Sequence, residues 1–329
     1  MASKTLRALT DINPTNYNEE ALSLFRYQAT HVPVYRKYLS LLGKLEEVNR
    51  IKILAEIPFL PISLFKEHKV MLEEQEPQCV FYSSGTTGQK RSKHYVSDLS
   101  LYQQSHLITF QKYYGNLSDY VILALLPNYL EQGNSSLVHM VNEWIVESGN
   151  PESGFYLNNT FALANKLQEL EQRKQPTILI GVSYALLDFA AAYPMQLKHT
   201  IVMETGGMKG RRKELIRSEL HDTLKRSLGV KQIHSEYGMT ELLSQAYSLA
   251  DGRFNPGPFM KVLIRDVNDP FHVWTNGRTG GINVIDLANR NSCAFIATQD
   301  LGSVYQDGTF EVLGRFDSSD QRGCNLMVQ

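Results

Sequence analysis

The chain has 329 residues, of which 43% are hydrophobic and 20% are charged, and its formal net charge is -1. This length allows one large domain or two of ordinary size, and the balanced charge argues against a nucleic-acid partner. The three cysteines, the polar N-terminus and the absence of an apolar run of about 18 residues argue against a disulfide framework, a secretion signal and a membrane span. We therefore expect a cytoplasmic protein.

The first 57 residues are predicted to form a helical cap, because apolar residues recur there at helical spacing between prolines. The next stretch, Ile57 to Lys66, is apolar and broken by prolines, which predicts an extended segment. Further along, Ser97 and Asp98 can cap a helix that runs to about Tyr114.

Short, wholly apolar segments in the middle of the chain are typical of strands buried on both faces. These segments are 120–126, 176–182 and 200–203. Because helix-like segments alternate with them, residues 58–250 are predicted to form an α/β core with helices on the faces of a sheet. Short strands and many Gly, Pro and Asn residues then predict a β-rich subdomain over residues 251–314, followed by a short tail over residues 315–329.

A loop rich in glycine and hydroxyl groups follows the apolar residues 79–82. It reads Ser83, Ser84, Gly85, Thr86, Thr87, Gly88 and is followed by Lys90 and Arg91. Backbone amides, hydroxyls and cations in this pattern favour a site for a polyphosphate, although the spacing is not that of a Walker A loop. A solvated hairpin turn is the alternative interpretation.

Three other segments carry candidate site residues. Gly206 and Gly207 follow the apolar segment 200–203, Glu236 to Glu241 place an aromatic, a hydroxyl and carboxylates around Gly238, and Asp300 lies beside a tight Gly turn. Taken alone, the last two segments are equally typical of a helix cap and an Asx turn.

In their order and separation, these segments resemble the adenylate-forming superfamily of acyl-CoA synthetases, luciferases and adenylation domains. SSGTTG resembles its phosphate loop, Tyr237 to Glu241 match its Tyr-Gly-x-Thr-Glu motif, 298–300 resemble its Thr-Gly-Asp motif, and 314–317 match its Gly-Arg-x-Asp hinge. The resemblance extends from about residue 58 to the end. It implies one large α/β domain of that family over residues 1–329, which activates a carboxylic acid with ATP and Mg²⁺.

The resemblance also implies a role for each matched residue. Ser83 to Gly88, Lys90 and Arg91 would hold the ATP phosphates, Tyr237 would lie against adenine, Thr240 would contact the α-phosphate, Glu241 would bind Mg²⁺, and Asp300 and Arg315 would hold the ribose. Gly206, Gly207, Glu236 and Gly238 are assigned to the same nucleotide site.

Two features depart from the superfamily pattern. The usual Pro-Lys after the loop is replaced by Lys90 and Arg91, and the chain ends 12 residues after Asp317, so the mobile lid with its adenylation lysine is expected to be absent. Acyl-protein synthetases of the LuxE type accommodate both features, and the segments IPFLPISLFK, PNYLEQGNSSLVHMV and RGCNLMV resemble them.

The LuxE-type resemblance implies that Cys324 accepts the acyl group, because a thiolate beside Arg322 in a short tail is a suitable nucleophile. A lone cysteine is nevertheless more often a packing residue, which is the role we assign to Cys79 and Cys293. Weaker candidates fall into two groups, one for the acyl or acceptor pocket and one for a carrier or CoA. The pocket group is Tyr129, Gln132, Asn134, Ser135, Ser136, His139 and 180–183, and the carrier group is the basic run 209–213. The alternative interpretations are a packing role for His139, plain sheet core for 180–183 and a solvated helix start for 209–213.

Three hypotheses about function follow. The first is an acid-activating enzyme that passes its acyl group to Cys324 and then to a partner reductase or carrier protein. The second is an acid:CoA ligase resembling phenylacetate-CoA ligase, with a lid supplied by another chain. The third is a binding protein for a nucleotide or acyl adenylate without turnover.

Overall fold

The computed structural model describes residues 6–84, 90–127, 134–206, 215–274 and 277–316. Its N-terminal region is helical, with α1 (Tyr17–His31), α2 (Pro33–Leu41) and the short α3 (Leu64–Glu67). The prediction of an extended segment over 57–66 is confirmed for β1 (Leu60–Pro61) and is wrong from Leu64 onward. Residues 62–67 contain no proline, so a helical turn can form there.

Five longer helices follow in the middle of the chain. They are α4 (Leu99–Tyr114), α5 (Ser136–Ser148), α6 (Thr160–Gln172), α7 (Ser183–Ala192) and α8 (Arg217–Leu228). As predicted, α4 is capped by Asp98, whose side chain accepts a hydrogen bond from the Ser100 amide. α8 ends at Gly229, which has a φ of 65°.

In the sequence, the basic run 209–213 followed by Ile216, Leu220, Leu224 and Leu228 at helical spacing predicts a helix that ends before Gly229. The start of α8 differs from that prediction. The helix begins at Arg217, so Ile216 lies before it and is 65% exposed instead of contributing to the buried face. Leu220, Leu224 and Leu228 are buried, as their spacing predicts. The basic run 209–213 lies outside the described residues.

Most strands belong to one sheet, which contains 13 strands among the described residues. Beside β1, the strands are β2 (Cys79–Tyr82), β3 (Lys93–Val96), β4 (Val121–Leu125), β5 (Gly154–Phe155), β6 (Thr177–Val182), β7 (Thr200–Thr205), β8 (Ile233–Tyr237), β9 (Ala246–Ser248), β10 (Arg253–Pro256), β11 (Met260–Arg265), β12 (Val273–Trp274), β13 (Gly280–Asp286), β14 (Phe295–Val304) and β15 (Phe310–Arg315). The strand order in the large sheet is β12-β11-β13-β14-β15-β10-β9-β8-β7-β6-β4-β5, with β1 paired to β14, and β2 and β3 form a separate hairpin.

The strands β4, β6, β7 and β8 pair in parallel, and α7 connects β6 to β7. β4 and β6 are buried at every position, in agreement with the apolar segments that predicted them. Because parallel strands end at the same edge of a sheet, the residues that follow β6, β7 and β8 are brought together there.

The remaining strands from β9 onward pair antiparallel and continue the sheet from β8. The N-terminal helices pack against this part through aromatic rings. Phe295 of β14 contacts the rings of Phe25, Tyr35 and Phe59, with centroids 5.8 to 6.3 Å apart. Among the described helices, none combines the length and the apolar character that a bilayer crossing requires.

We predict that Gly302→Ala destabilises this antiparallel part. A Cβ atom at Gly302 would lie 2.2 Å from the Glu311 carbonyl oxygen and 2.7 Å from Ile282. Since a backbone atom cannot easily move away, the free energy of unfolding should fall by about 1 to 3 kcal/mol in urea denaturation.

Gly314→Ala is the matched control for that substitution. It lies on the paired strand β15, and a Cβ atom there would contact nothing within 4 Å. Its free energy of unfolding should therefore stay within about 0.5 kcal/mol of the wild-type value. Equal losses for the two variants would contradict the packing described here.

Candidate active site

The carboxyl ends of the parallel strands open into a cleft of about 2010 Å³. Every predicted site residue that the structure describes lines this cleft. These residues are Ser83, Ser84, Lys90, Arg91, Gly206, Glu236, Tyr237, Gly238, Thr240, Glu241, Asp300 and Arg315. The sequence therefore identified residues that meet in space although they lie up to 232 positions apart (Ser83 to Arg315).

Several predicted site residues lie outside the described residues. They are Gly85, Thr86, Thr87, Gly88, Gly207 and Cys324. The same applies to Tyr129 and Gln132 among the weaker candidates. The roles assigned to all of them stay predictions.

The base of the predicted phosphate loop is closed by hydrogen bonds between Ser83 and Ser92. The Ser83 amide donates to the Ser92 carbonyl at 3.1 Å, and the Ser92 amide donates to the Ser83 hydroxyl at 2.9 Å. The Arg91 guanidinium donates to the Ser83 carbonyl and lies 5.4 Å from the centre of the Tyr82 ring. Lys90 forms an exposed ion pair with Glu67. The two cations are thus held at the rim of the cleft by different partners.

Tyr237, Asp300 and Arg315 form a hydrogen-bonded chain across three strands. The Tyr237 hydroxyl donates to Asp300 Oδ2 at 2.9 Å, and Arg315 Nε donates to Asp300 Oδ1 at 3.1 Å. Burial and the neighbouring Asp300 carboxylate raise the pKa of Tyr237 well above its ordinary value, so the phenol stays protonated as a donor. Asp300 and Arg315 are direct register partners in β14 and β15, and the Arg315 side chain is 73% exposed to the cleft and solvent.

Two buried carboxyl groups end the strands β7 and β8, and their pKa values move in opposite directions. Burial disfavours the ionised form of Glu204, but hydrogen bonding to His221 and the charge of Arg217 outweigh it and lower its pKa. Within the described residues, no cation contributes to the pKa of Glu236. Burial raises the pKa of the Glu236 carboxyl to about 7, with a hydrogen bond from Thr205 opposing this rise and the charge of Glu204 adding to it.

Gly238 leaves room for the Glu236 carboxyl group. A Cβ atom at Gly238 would lie 2.4 Å from Glu236 Oε1, so any other residue there would displace the carboxyl group. This contact gives a steric reason for the glycine in the Tyr-Gly pair that the sequence analysis selected.

The turn that carries Thr240 and Glu241 is held by side chains that the sequence analysis did not select. His94 Nδ1 lies 2.8 Å from the Thr240 carbonyl oxygen, and His94 Nε2 lies 3.1 Å from Asn289 Oδ1. The Asn289 amide nitrogen in turn donates to the Glu241 carbonyl at 2.9 Å. His94 belongs to β3 of the phosphate hairpin, so this chain fixes the hairpin relative to the turn.

Asp286 fixes the other end of the same turn. Its buried carboxylate accepts hydrogen bonds from the amides of Leu243 and Ser244 at 2.7 and 3.1 Å, and from the Ser244 hydroxyl. The one local feature of the sequence that could have indicated Asp286 is its position, because a charged residue ends the fully buried strand β13. His94 and Asn289 carried no such signal, because the partners through which they hold the turn lie 48 to 195 positions away.

The weaker candidates separate into residues that reach the cleft and residues that do not. Asn134, Ser135, Ser136 and Ser183 line the cleft. His139 lies instead 3.4 Å from Glu143, one turn along α5. Gly181 leaves room for sheet packing, since a Cβ atom there would lie 3.0 Å from Leu125 and Leu186.

The two described cysteines also differ from each other. Cys293 is buried, in agreement with the packing role assigned to it, and burial raises the pKa of its thiol to about 12. Cys79 is only partly buried, and burial raises the pKa of its thiol.

Glu241 is suitably placed to bind a Mg²⁺ ion that also contacts the phosphates of a nucleotide. Its carboxyl group lines the cleft and hydrogen-bonds to Ser92 at the base of the phosphate loop, and burial raises its pKa. Magnesium commonly takes one or two protein carboxylates and completes its shell with phosphates and water, so a single carboxylate beside the loop fits the ion.

We predict a pH-dependent stability difference between the wild type and Glu236→Gln. Because the pKa of Glu236 is raised in the folded protein, its contribution to stability is full below about pH 4.5 and is lost as the pH rises through about 7. Glutamine does not ionise. The variant should therefore gain on the order of 3 kcal/mol relative to the wild type between about pH 4 and pH 8 in urea denaturation.

A Glu236→Gln difference that stays constant across this pH range would show that the pKa of Glu236 is not raised in the folded protein.

Comparisons with known proteins agree with this architecture. No family model and no curated protein sequence matches the chain. Among solved structures, an open conformation of 2-hydroxyisobutyryl-CoA ligase in complex with 2-HIB-AMP and CoA matches 97% of this chain and 76% of its own, with a TM-score of 0.64 and 12% identity. ATP-bound MatB from Rhodopseudomonas palustris matches with a TM-score of 0.55 and 15% identity over 89% of this chain. The amide bond synthetase McbA from Marinactinospora thermotolerans matches 72% of this chain with a TM-score of 0.50 and 17% identity.

The chain spans 61% of the length of MatB and 48% of the length of McbA. At these identities the likeness concerns the fold. The chain therefore has the mixed α/β fold of the large domain of adenylate-forming ligases, as its motifs predicted.

Proposed function

We propose that the protein activates a carboxylic acid with ATP, forming an acyl adenylate and pyrophosphate, and then transfers the acyl group to a thiol. The observation that carries this proposal is the convergence of the phosphate hairpin, the turn 238–245 and the Tyr237, Asp300 and Arg315 chain on one cleft. The solved ligases of the same fold support it, because two of them were determined with ATP, or with an AMP adduct and CoA, bound.

The arrangement of charges suits the first step of this reaction. A substrate carboxylate oxygen attacks the α-phosphorus of ATP, a phosphorus–oxygen bond forms, and the bond to pyrophosphate breaks. Lys90, Arg91 and the amides near Ser83 and Ser84 offset negative charge at the phosphates, and Thr240 donates to the α-phosphate. Mg²⁺, held by Glu241, would supply further charge neutralisation at the phosphates.

Asp300 is suited to bind the ribose. Its two oxygens are already oriented by Tyr237 and Arg315, and a carboxylate accepts hydrogen bonds from adjacent hydroxyls. Tyr237 is largely buried and lines the same cleft, where an adenine ring would pack against it.

We further propose that the acceptor thiol is Cys324, as the LuxE-type resemblance implies. In that step the thiolate attacks the acyl carbonyl carbon, a thioester forms and AMP leaves with the bonding electrons. A partner reductase or carrier protein would then take the acyl group. CoA as the acceptor is the second candidate, and the ligase structure that contains CoA favours it.

We predict that Asp300→Asn weakens ATP binding by about ten- to a hundredfold, because a hydrogen bond to a charged group contributes about 1.5 to 3 kcal/mol. The dissociation constant of Mg·ATP, measured by isothermal titration calorimetry, tests this prediction. The control is Asp307→Asn, which lies in the exposed turn between β14 and β15 and should bind ATP as the wild type does. Equal affinities for all three proteins would remove Asp300 from the nucleotide site.

We also predict an acyl adduct on the intact protein after incubation with Mg·ATP and a panel of fatty and aryl acids. Mass spectrometry should show the increment in the wild type and in Cys79→Ser but not in Cys324→Ser, and hydroxylamine should remove it. Pyrophosphate exchange without any adduct would favour CoA as the acceptor. If no acid of the panel supports exchange, the activity proposed here is wrong.

A further inference from the structure

One buried amide in the cleft lacks a hydrogen-bond partner. Gln245 is 2% exposed and lines the cleft, yet its side-chain oxygen Oε1 has no partner within the described part of the chain. A buried carbonyl oxygen without a donor costs about 1 to 3 kcal/mol, so such a group in a ligand cleft indicates a donor that arrives with the ligand. The proposed activation chemistry does not require Gln245.

The pairing of β8 and β9 places Gln245 beside the Glu236 carboxyl group. Glu236 is the register partner of Tyr247, and Gln245 lies two residues before Tyr247, so both side chains project from the same face of the sheet as Glu236. Gly238 continues this face, since a Cβ atom there would lie 2.4 Å from Glu236 Oε1 and 3.7 Å from Gln245 Cγ. The amide and the carboxyl group therefore border one space.

Apolar and aromatic side chains contribute to the lining of the same cleft. Tyr102 of α4 and Leu137 and Met140 of α5 line the same cleft, and Tyr102 is close enough to Glu236 for their charges to interact. The Tyr102 hydroxyl is already used, because it donates to the Ser136 carbonyl at 3.0 Å. Among the described residues, the polar groups that this space offers a ligand thus include the Gln245 oxygen and the Glu236 carboxyl group, which is half protonated near pH 7.

We propose that the acid substrate has an apolar body and carries a hydrogen-bond donor, an O–H or N–H group, which binds Gln245 Oε1. This inference rests on the proposed function, because it assigns the substrate class of the same cleft. A plain hydrocarbon acid would bury Gln245 Oε1 without a partner, whereas a hydroxy or amino acid derivative would satisfy it. Sites that hydrogen-bond a substrate hydroxyl discriminate strongly against analogues that lack it.

The test uses two matched series of acids on the full-length chain. One series is octanoate with its beta-hydroxy, beta-amino and beta-methoxy derivatives, and the other is phenylacetate with its para-hydroxy, para-amino and para-methoxy derivatives. Binding is measured by calorimetry with Mg²⁺ and α,β-methylene-ATP, which cannot release pyrophosphate. In at least one series a donor derivative should bind about ten- to a hundredfold more tightly than both the unsubstituted and the methoxy acid. Comparison of the hydroxy and amino derivatives shows whether an O–H or an N–H group is the preferred donor.

Two variants assign the preference to the residue. Gln245→Met keeps the side-chain length and removes the oxygen, so the ratio between the donor acid and the unsubstituted acid should fall to near one. Gln172→Met makes the same chemical change at the exposed end of α6, at a position that does not line the cleft, and the ratio should persist there. Circular dichroism and thermal unfolding verify that both variants are folded.

Pyrophosphate exchange with the same acids separates this inference from the proposed function. Exchange supported equally by unsubstituted or methoxy acids, or a preference that survives in Gln245→Met, overturns the inference while acid activation stands. Tighter binding of donor acids without exchange supports the inference and overturns acid activation. If no acid in either series binds, the inference is wrong.

Discussion

The candidate site depends on a turn that has no regular structure of its own. Residues 238–245 belong to neither a helix nor a strand, and from Glu241 onward they are buried. Buried amides and carbonyls need partners, and here Asp286, His94 and Asn289 provide them. His94 belongs to the phosphate hairpin, and Asp286 and Asn289 belong to the antiparallel part of the chain. The hydrogen bonds that satisfy the turn therefore also fix the positions of the turn, the hairpin and the antiparallel sheet relative to one another.

The strand ends show how one edge of a sheet gives similar groups different chemistry. Glu204 and Glu236 are register neighbours of Gly181 and Thr205 at the ends of β7 and β8, and both are buried. Glu204 has Arg217 and His221 beside it and favours the charged form, whereas Glu236 has a hydroxyl and a second carboxylate beside it and is half protonated near pH 7. Local surroundings, and not residue type, decide which carboxyl group is ionised.

The motifs of the site and a substantial part of the fold could be predicted from the sequence. The buried strands β4 and β6, the cap at Asp98 and the end of α8 at Gly229 follow from local patterns that need no tertiary contact. The start of α8 was misplaced, because an apolar residue at helical spacing, Ile216, lies before the helix and remains exposed. Periodicity alone does not distinguish a buried apolar residue from an exposed one at the end of a helix.

By itself, the sequence determined which residues have the chemistry to bind a nucleotide, since the order of hydroxyls, glycines, carboxylates and cations is a property of the chain. Only the tertiary structure decided which of them share a cleft, which carboxyl group is protonated, and that Gln245 Oε1 is buried beside Glu236 without a donor. Solvation, charge and hydrogen bonding depend on neighbours that can lie more than a hundred residues away in the sequence, as the partners of His94 do, and such neighbours are fixed only when the strands pair and the helices pack.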